Sequence, residues 1–266
     1  IVVDDGSTDE TPEVLAAYGD RIRVLRKPNG GVASARNAGV AAARGDFLAF
    51  LDDDDRWRPE KLARQMARLA ETPARGLVYT DCARFDEHGP LGDPGRVARE
   101  GWVFGAFVER YFIVMSTVLV RAEVARAAGP FDEDYRRQDD LDFLLRVLDQ
   151  VPVAYVDEKL VERRKYARPI TPEDLIRSAT EQEIYVEKTV RRFGASGKLP
   201  RRWAERNLAR AALKRARAAE MLGDVEGAAK WYRAALSRDP WKARAWRRWL
   251  LSRRRSRASL VAAGRT

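Results

Sequence analysis

Histidine and cysteine are nearly absent from this chain: its 266 residues hold one of each, His88 and Cys82. A single thiol closes no intramolecular disulfide, and beside an apolar run it reads as a small core residue in a reducing, cytoplasmic setting. His88 lies in a Gly/Pro-rich stretch, where an exposed loop residue is the ordinary expectation. Also missing is any uninterrupted apolar run of the roughly 18 residues that a spanning helix needs, so membrane contact is expected to be peripheral. Neither an initiator Met nor a leader precedes Ile1, and the chain opens directly in an apolar strand, as expected of a fragment without its natural N-terminus.

What the chain does have is charge, unevenly placed. Of the net +10, residues 191–266 carry 22 Lys/Arg against 5 Asp/Glu, a local +17, which leaves 28 against 35, or −7, for residues 1–190. Two parts with different tasks are expected: a sizeable α/β domain, and a basic appendage drawn to something anionic, whether lipid head groups or nucleic acid.

Ile1 to Asp5 reads as a strand ending in carboxylates, with Gly6-Ser7-Thr8-Asp9 as the turn leaving it. Thr11 is placed to cap a helix from Pro12 to Tyr18. Arg21 to Arg26 alternates as a second strand, and Val32 to Ala43 is an Ala-rich helix after Asn29-Gly30-Gly31. The apolar run Phe47 to Leu51 suits a strand covered on both faces of a largely parallel sheet, and it runs straight into four aspartates. This order predicts an open α/β sheet, whose ligands bind beyond the carboxyl ends of strands. Further on, the pattern predicts a helix over Pro59 to Glu71, a strand over Leu77 to Asp81 and a surface loop over His88 to Gly95. A strand over Val118 to Arg121, a helix to Ala128 and an acidic-started helix over Asp139 to Val147 follow.

Carboxylates packed as closely as Asp52-Asp53-Asp54-Asp55 raise one another's pKa unless a cation neutralises them. Mg²⁺ or Mn²⁺ suits such a cluster, sharing its open coordination positions with substrate phosphates. The bland alternative is a solvated acidic loop or a helix cap ahead of Arg56-Trp57-Arg58-Pro59. Trp102, Phe104, Phe107, Tyr111 and Phe112 could stack on a sugar, although core packing is the more ordinary role of such a cluster.

Four segments occur in a telling order: Val2-Val3-Asp4-Asp5-Gly6-Ser7-Thr8-Asp9; Gly31-Val32-Ala33-Ser34-Ala35-Arg36-Asn37-Ala38-Gly39; Ala43-Arg44-Gly45-Asp46 through Phe50-Leu51 into Asp52-Asp53-Asp54-Asp55-Arg56-Trp57; and Gly129-Pro130-Phe131-Asp132-Glu133 to Asp139-Asp140-Leu141-Asp142-Phe143. Over roughly residues 1–166 the chain resembles the family 2 glycosyltransferases of the GT-A fold. The resemblance implies a mostly parallel, Rossmann-like sheet flanked by helices. It also implies an inverting transfer of sugar from a nucleoside-diphosphate donor to a saccharide or lipid-linked acceptor, in cell-surface polysaccharide or glycolipid synthesis. Carried onto this sequence, Asp5, with Asp4 beside it, contacts the nucleobase; Arg36 and Asn37 lie around the nucleotide and its phosphates; Asp52-Asp53-Asp54 is the Asp-x-Asp motif, in which Asp52 and Asp53 bind the nucleotide-sugar, Asp53 near the ribose, and Asp54 ligates the divalent metal, Mn²⁺ or Mg²⁺. Asp140 is the catalytic base, with Asp139 in place of the family's Glu and Leu141 in place of a common aromatic. Asp142 is either a supporting residue or an i,i+4 partner of Arg146.

The family's first strand and helix, which normally precede Val2-Val3-Asp4-Asp5, have no counterpart here, and Tyr166 stands near the position of a histidine that many relatives use as a further metal ligand. The expected organisation is a GT-A domain over 1–168, a connecting helical segment over 169–199 and a basic appendage over 200–266. In that appendage, Gly223 to Leu236 followed by Asp239-Pro240 resembles the second helix of a tetratricopeptide repeat, read as a helical hairpin docked on the catalytic part. Arg201-Arg202, Arg247-Arg248 and Arg253-Arg254-Arg255 interleave with Trp203, Trp231, Trp241, Trp246 and Trp249. This suits either peripheral contact with the anionic inner face of the cell membrane or a solvated basic face over packed tryptophans. Three alternatives stand beside the transferase: a sugar-nucleotidyltransferase, which would want a Gly-rich basic loop near the start; a non-catalytic scaffold with a partner-binding tail; and a nucleic-acid binder, not expected because no such motif accompanies the charge.

Overall fold

The computed structural model describes residues 1–92, 98–166, 169–241 and 246. The chain divides into two compact units, Ile1–Ala167 and Arg168–Thr266.

The first unit opens with β1 (Val2–Asp4), α1 (Thr11–Ala16), β2 (Val24–Arg26) and α2 (Val32–Ala42). β1 and β2 form a parallel pair with Val3 opposite Leu25. α1 begins one residue before the expected start, so Glu10 rather than Thr11 stands at the N-cap, and it makes no side-chain cap bond; Asp9 Oδ1 accepts from the Thr11 amide at 3.1 Å. β2 is short because Gly19–Arg21 winds into a 3₁₀ turn first.

Next come β3 (Phe47–Ala49), β4 (Arg56–Trp57), α3 (Lys61–Glu71), β5 (Leu77–Asp86), β6 (Gly89–Leu91), α4 (Phe104–Glu109), β7 (Leu119–Arg121), α5 (Ala122–Ala127), α6 (Asp139–Leu148) and β8 (Val153–Arg164). The main sheet runs β3-β7-β5-β8-β4, with β6 hairpinned onto β5. Among the described residues β5 and β8 are the one parallel pair in it, while β3–β7, β5–β7, β4–β8 and β5–β6 are antiparallel. The α/β class stands, with one correction: this sheet is mixed rather than mostly parallel. The reason lies in what an apolar run reports. Leu48 is buried, and Phe47 and Ala49 pack on a cluster of Leu69, Val78, Leu119, Ala154, Val156 and Leu160. Such a run records cover on both faces and says nothing of the direction of the neighbouring strand. The stretch from His88 is likewise not wholly a loop: Gly89, at φ +122, turns the chain so that Pro90 pairs with Phe85. Gly95 lies outside the described residues.

In the second unit α7 (Pro172–Phe193) starts from a Thr171/Asp174 capping box. It packs on α8 (Trp203–Met221), with Gln182 to Asn207 at 3.2 Å, Lys214 to Ser178 at 2.9 Å and Arg215 to Glu183 at 2.7 Å. The segment read as a connector therefore supplies a packed helix of this unit. Gly223, at φ +75, turns α8 into α9 (Val225–Arg238), and the hairpin closes over Ala216, Ala219, Ala228, Tyr232 and Leu236. Trp203 is buried edge-on against Tyr185, and Trp231 carries the Arg215 guanidinium on its ring. Trp241 is exposed, while Trp249, Arg247, Arg248 and Arg253 to Arg255 lie outside the described residues. No helix among the described residues is long and apolar enough to cross a membrane.

Candidate functional site

Arg36, on α2, joins residues far apart in the chain. Its Nη2 donates to Asp52 Oδ1 at 2.6 Å and its Nη1 to Asp139 Oδ2 at 2.7 Å, so one guanidinium ties the acidic run after β3 to the first turn of α6. Only 12% of its side chain is exposed. Burial pulls its pKa down, but Asp52 and Asp139 more than offset this and hold the guanidinium charged. The group also lies over the Phe131 ring, which stacks on Phe143 at 4.1 Å with Phe50 edge-on to both. This aromatic block is a rigid floor for the charged groups.

Asp140 follows the buried Asp139 on α6. Burial first, then the Asp139 charge, pushes the Asp140 carboxyl up to about 6, against the opposing pull of Arg36 and of the Leu141 amide at 2.8 Å. A carboxylate tuned toward neutrality can accept a proton near working pH. Asp142 is turned the other way. It pairs with Arg146 at 2.9 Å, and Arg146 donates to the carbonyls of Ala128, Gly129 at 3.0 Å and Pro130 at 2.8 Å. That pair fastens the turn before Phe131 to α6. Asn37 fastens the same turn from α2: its Nδ2 donates to Phe131 O and Glu133 Oε1, both at 2.9 Å, and its Oδ1 accepts from Phe131 N at 2.7 Å.

Within the acidic run the four aspartates differ. Asp52 is held by Arg36, and its amide donates to Ser116 Oγ at 3.2 Å. Asp53 is exposed. Asp54 is half-buried, and its carboxyl is raised by burial and then by Asp55, Asp53 and Asp52. Asp55 is turned inward, accepting from the Arg164 amide at 3.0 Å, and its buried Oδ2 has no hydrogen-bond partner among the described residues.

At the end of β1, Asp4 is buried and accepts from the Ser7 amide at 2.8 Å, which with Arg26 holds its pKa below the usual range. Burial raises Asp5, but Lys27 at 2.6 Å and the amides of Gly30 and Gly31 outweigh it and hold this carboxylate ionised. Gly31, at φ +86, presents its amide to that carboxylate.

No group of three His, Cys, Asp or Glu side chains converges as a metal site among the described residues. The donors present fit a hard cation that brings most of its own ligands: Asp54 is a carboxylate under like-charge pressure that one such ion would relieve. Tyr166 and His88 are exposed. Phe104 and Phe107 are core residues; Trp102, 69% exposed, follows Gly101, which bridges Val153 at the start of β8, whereas β4, just after the acidic run, pairs near that strand's end. The sequence reading assigned no role to Ser116, Trp57 or Lys61. Trp57 Nε1 donates to Ser116 O at 2.8 Å, and the Lys61 ammonium lies 4.2 Å from the Trp57 ring centroid. The available signal was the i,i+4 placement of Lys61 and Gln65 in line with Leu69.

The fold thus gathers carboxylates from the end of β1, the run after β3 and the start of α6. Residues 1–117 match the family described as Glycosyl transferase family 2, and the chain carries a domain of that family. Among curated relatives, it is 28% identical over 177 residues to an uncharacterized glycosyltransferase of Rickettsia prowazekii (strain Madrid E), covering 64% of this chain and 56% of that protein. It is 31% identical over 170 residues to TuaG of Bacillus subtilis (strain 168), named for teichuronic acid biosynthesis, covering 62% of this chain and 66% of the relative. The chain thus spans little more than half of the rickettsial relative's length. Among solved structures, the S. aureus TarS 1-349 complex with UDP-GlcNAc superposes with a TM-score of 0.54 at 18% identity, covering 90% of this chain and 82% of that one, a likeness of fold.

Proposed function

We propose that this chain is the donor-binding and catalytic part of an inverting glycosyltransferase, acting from a nucleoside-diphosphate sugar on an acceptor hydroxyl in the synthesis of a cell-surface polysaccharide or glycolipid. The observation that carries this reading is the Arg36 bridge, which sets the acidic run beside an α6 terminus whose Asp140 is poised at about 6. The relationship to TuaG supports the polysaccharide context.

In this mechanism the ends of β1 and α2, with Asp4, Asp5 and Arg36, receive the nucleotide, and Asn37 keeps the neighbouring turn in place. Asp52, held by Arg36, and Asp53, toward the ribose, complete the nucleotide-sugar site, and Asp54 would hold Mn²⁺ or Mg²⁺ together with diphosphate oxygens and water. When bound, the ion supplies Lewis-acid stabilisation of the charge on the departing diphosphate. Asp140, as an anion, accepts the proton of the acceptor hydroxyl as that oxygen attacks the anomeric carbon and the bond to the diphosphate breaks. A single displacement inverts the anomeric centre. Asp139 and Arg36 fix the start of α6 so that Asp140 keeps its aim. The excess of positive charge after residue 190 supports a second element of the proposal: peripheral attachment to the anionic inner face of the cell membrane, where lipid-linked acceptors reside, through a tetratricopeptide-like basic tail.

The test is NMR of the product made from UDP- and GDP-sugars with an acceptor panel. Opposite anomeric configuration in donor and product, with loss of transfer in Asp140→Asn, is expected. Retained configuration, or full transfer by Asp140→Asn, would sink the mechanism.

A further inference from the structure

α3 buries a stripe that is polar in its first two turns and leaves the neighbouring apolar one half exposed. Lys61 and Gln65 are fully buried with Leu69, while Leu62 and Met66, the better core residues, are 43% and 42% exposed. A buried ammonium is costly, and burial alone pushes Lys61 down to about 7. Its Nζ donates to Gln65 Oε1 at 2.7 Å and rests on the face of the Trp57 indole. Gln65 in turn donates to Val78 O at 3.1 Å and Thr117 O at 2.9 Å, which locks it to β5 and to the 3₁₀ turn Met115–Thr117. That turn holds the acidic run at both ends, because Ser116 Oγ takes the Asp52 amide and Ser116 O takes the Trp57 indole N–H. Methionine in place of Lys61 would fill the same volume without desolvating a charge, so packing gives no reason for lysine here.

We propose that Lys61 is a positioning residue which, through Trp57, Gln65 and Ser116, fixes the pose in which Asp52 to Asp54 meet a diphosphate-bound divalent ion. The inference rests on the donor-binding reading above. Lys61 acts through the indole and not on the ligand: its Nζ, seated on the ring face and held by Gln65, sets the plane of the indole that pins the far end of the loop. Outer-shell groups of this kind govern affinity more than fold.

The test is calorimetric titration of UDP and of GDP, each with Mn²⁺, into the full chain as wild type, Lys61→Met and Trp57→Phe, beside thermal melts of each. Lys61→Met is expected to melt no lower than wild type and to bind the Mn²⁺–nucleotide roughly 10-fold or more weakly. Trp57→Phe, which keeps a ring but loses the N–H to Ser116, should weaken binding too, and the double variant less than the two effects combined, because they act through one indole. Should Lys61→Met fail to fold, Trp57→Phe decides alone: weakened binding supports the proposal and wild-type binding overturns it. Wild-type affinity in both single variants overturns this inference and leaves the functional reading intact. Absence of Mn²⁺-dependent binding by the folded wild type overturns the functional reading and this inference with it.

Discussion

Asp140 and Arg36 carry opposite burdens. Asp140 has a folded pKa raised from 3.8 to about 6, so its contribution to stability is fully present below the unfolded value and is lost as pH rises through about 6. At neutral pH the fold therefore holds an anion that it would rather protonate, and a base in that state is what proton abstraction uses. Asp140→Asn should slow transfer by about 10²- to 10⁴-fold. It should also stabilise the protein at pH 7.5 by up to about 3 kcal/mol, the worth of moving that carboxyl from 3.8 to about 6. Melts from pH 4 to 8 check the sign, because the variant's advantage should shrink toward zero at the acid end. For Arg36 the direction reverses. Asp139 is 2% exposed, and Arg36→Ala would strand its charge, at a cost of about 3–5 kcal/mol in chemical denaturation. Arg36→Lys should rescue poorly, since a point charge cannot fork to two carboxylates. At this scale the sequence showed where contiguous carboxylates lie, with Asp4-Asp5 at the end of β1, Asp52 to Asp54 after β3 and Asp139-Asp140 at the start of α6. It was illegible where a residue works by contact across the fold: nothing local foretells that Asn37 grips Phe131, or that Ser116 holds both ends of the acidic run.

Among the elements, α6 serves two purposes on two faces. Its first turn presents Asp139 and Asp140, while Asp142 and Arg146, one turn apart, clamp the Ala128-Gly129-Pro130 turn. Arg146→Met should therefore lower stability by about 3–5 kcal/mol while leaving the acid limb of the rate profile near pH 6, because the clamp does not face Asp140. A shift of that limb by a full unit in Arg146→Met would contradict the division of labour. Helix positions were readable from period and caps, α2 and α6 to within a residue. Strand direction was not, since the apolar run of β3 encodes burial alone, and the inward face of α3 could not be read because its buried stripe is polar. β5 continues to Asp86 because it gains β8 on one side and the β6 hairpin on the other, contacts that the composition of Cys82 to Asp86 does not announce.

For the whole molecule, charge and composition divide the chain much as contacts do, with a family 2 domain ahead of a helical unit rich in arginine. The fold class was legible because four motifs in one order constrain topology more tightly than any single element does. The part played by 169–199 was less so, because α7 is bound to α8 by Gln182–Asn207 and Arg215–Glu183 pairs that helical periodicity does not reveal. If the basic tail attaches the protein to membrane, vesicles with about a third anionic lipid should bind it at 0.1 M salt and release it by 0.5 M, as screening shortens the reach of each charge. Equal binding to neutral vesicles would contradict that. The most direct measurement of the central claim is a calorimetric titration of UDP and GDP, with and without Mn²⁺, into wild type and Asp54→Ala. Binding of one nucleotide that requires Mn²⁺ and is lost in a still-folded Asp54→Ala is the predicted result. Binding indifferent to both metal and Asp54, or none at all by folded wild type, would contradict the account.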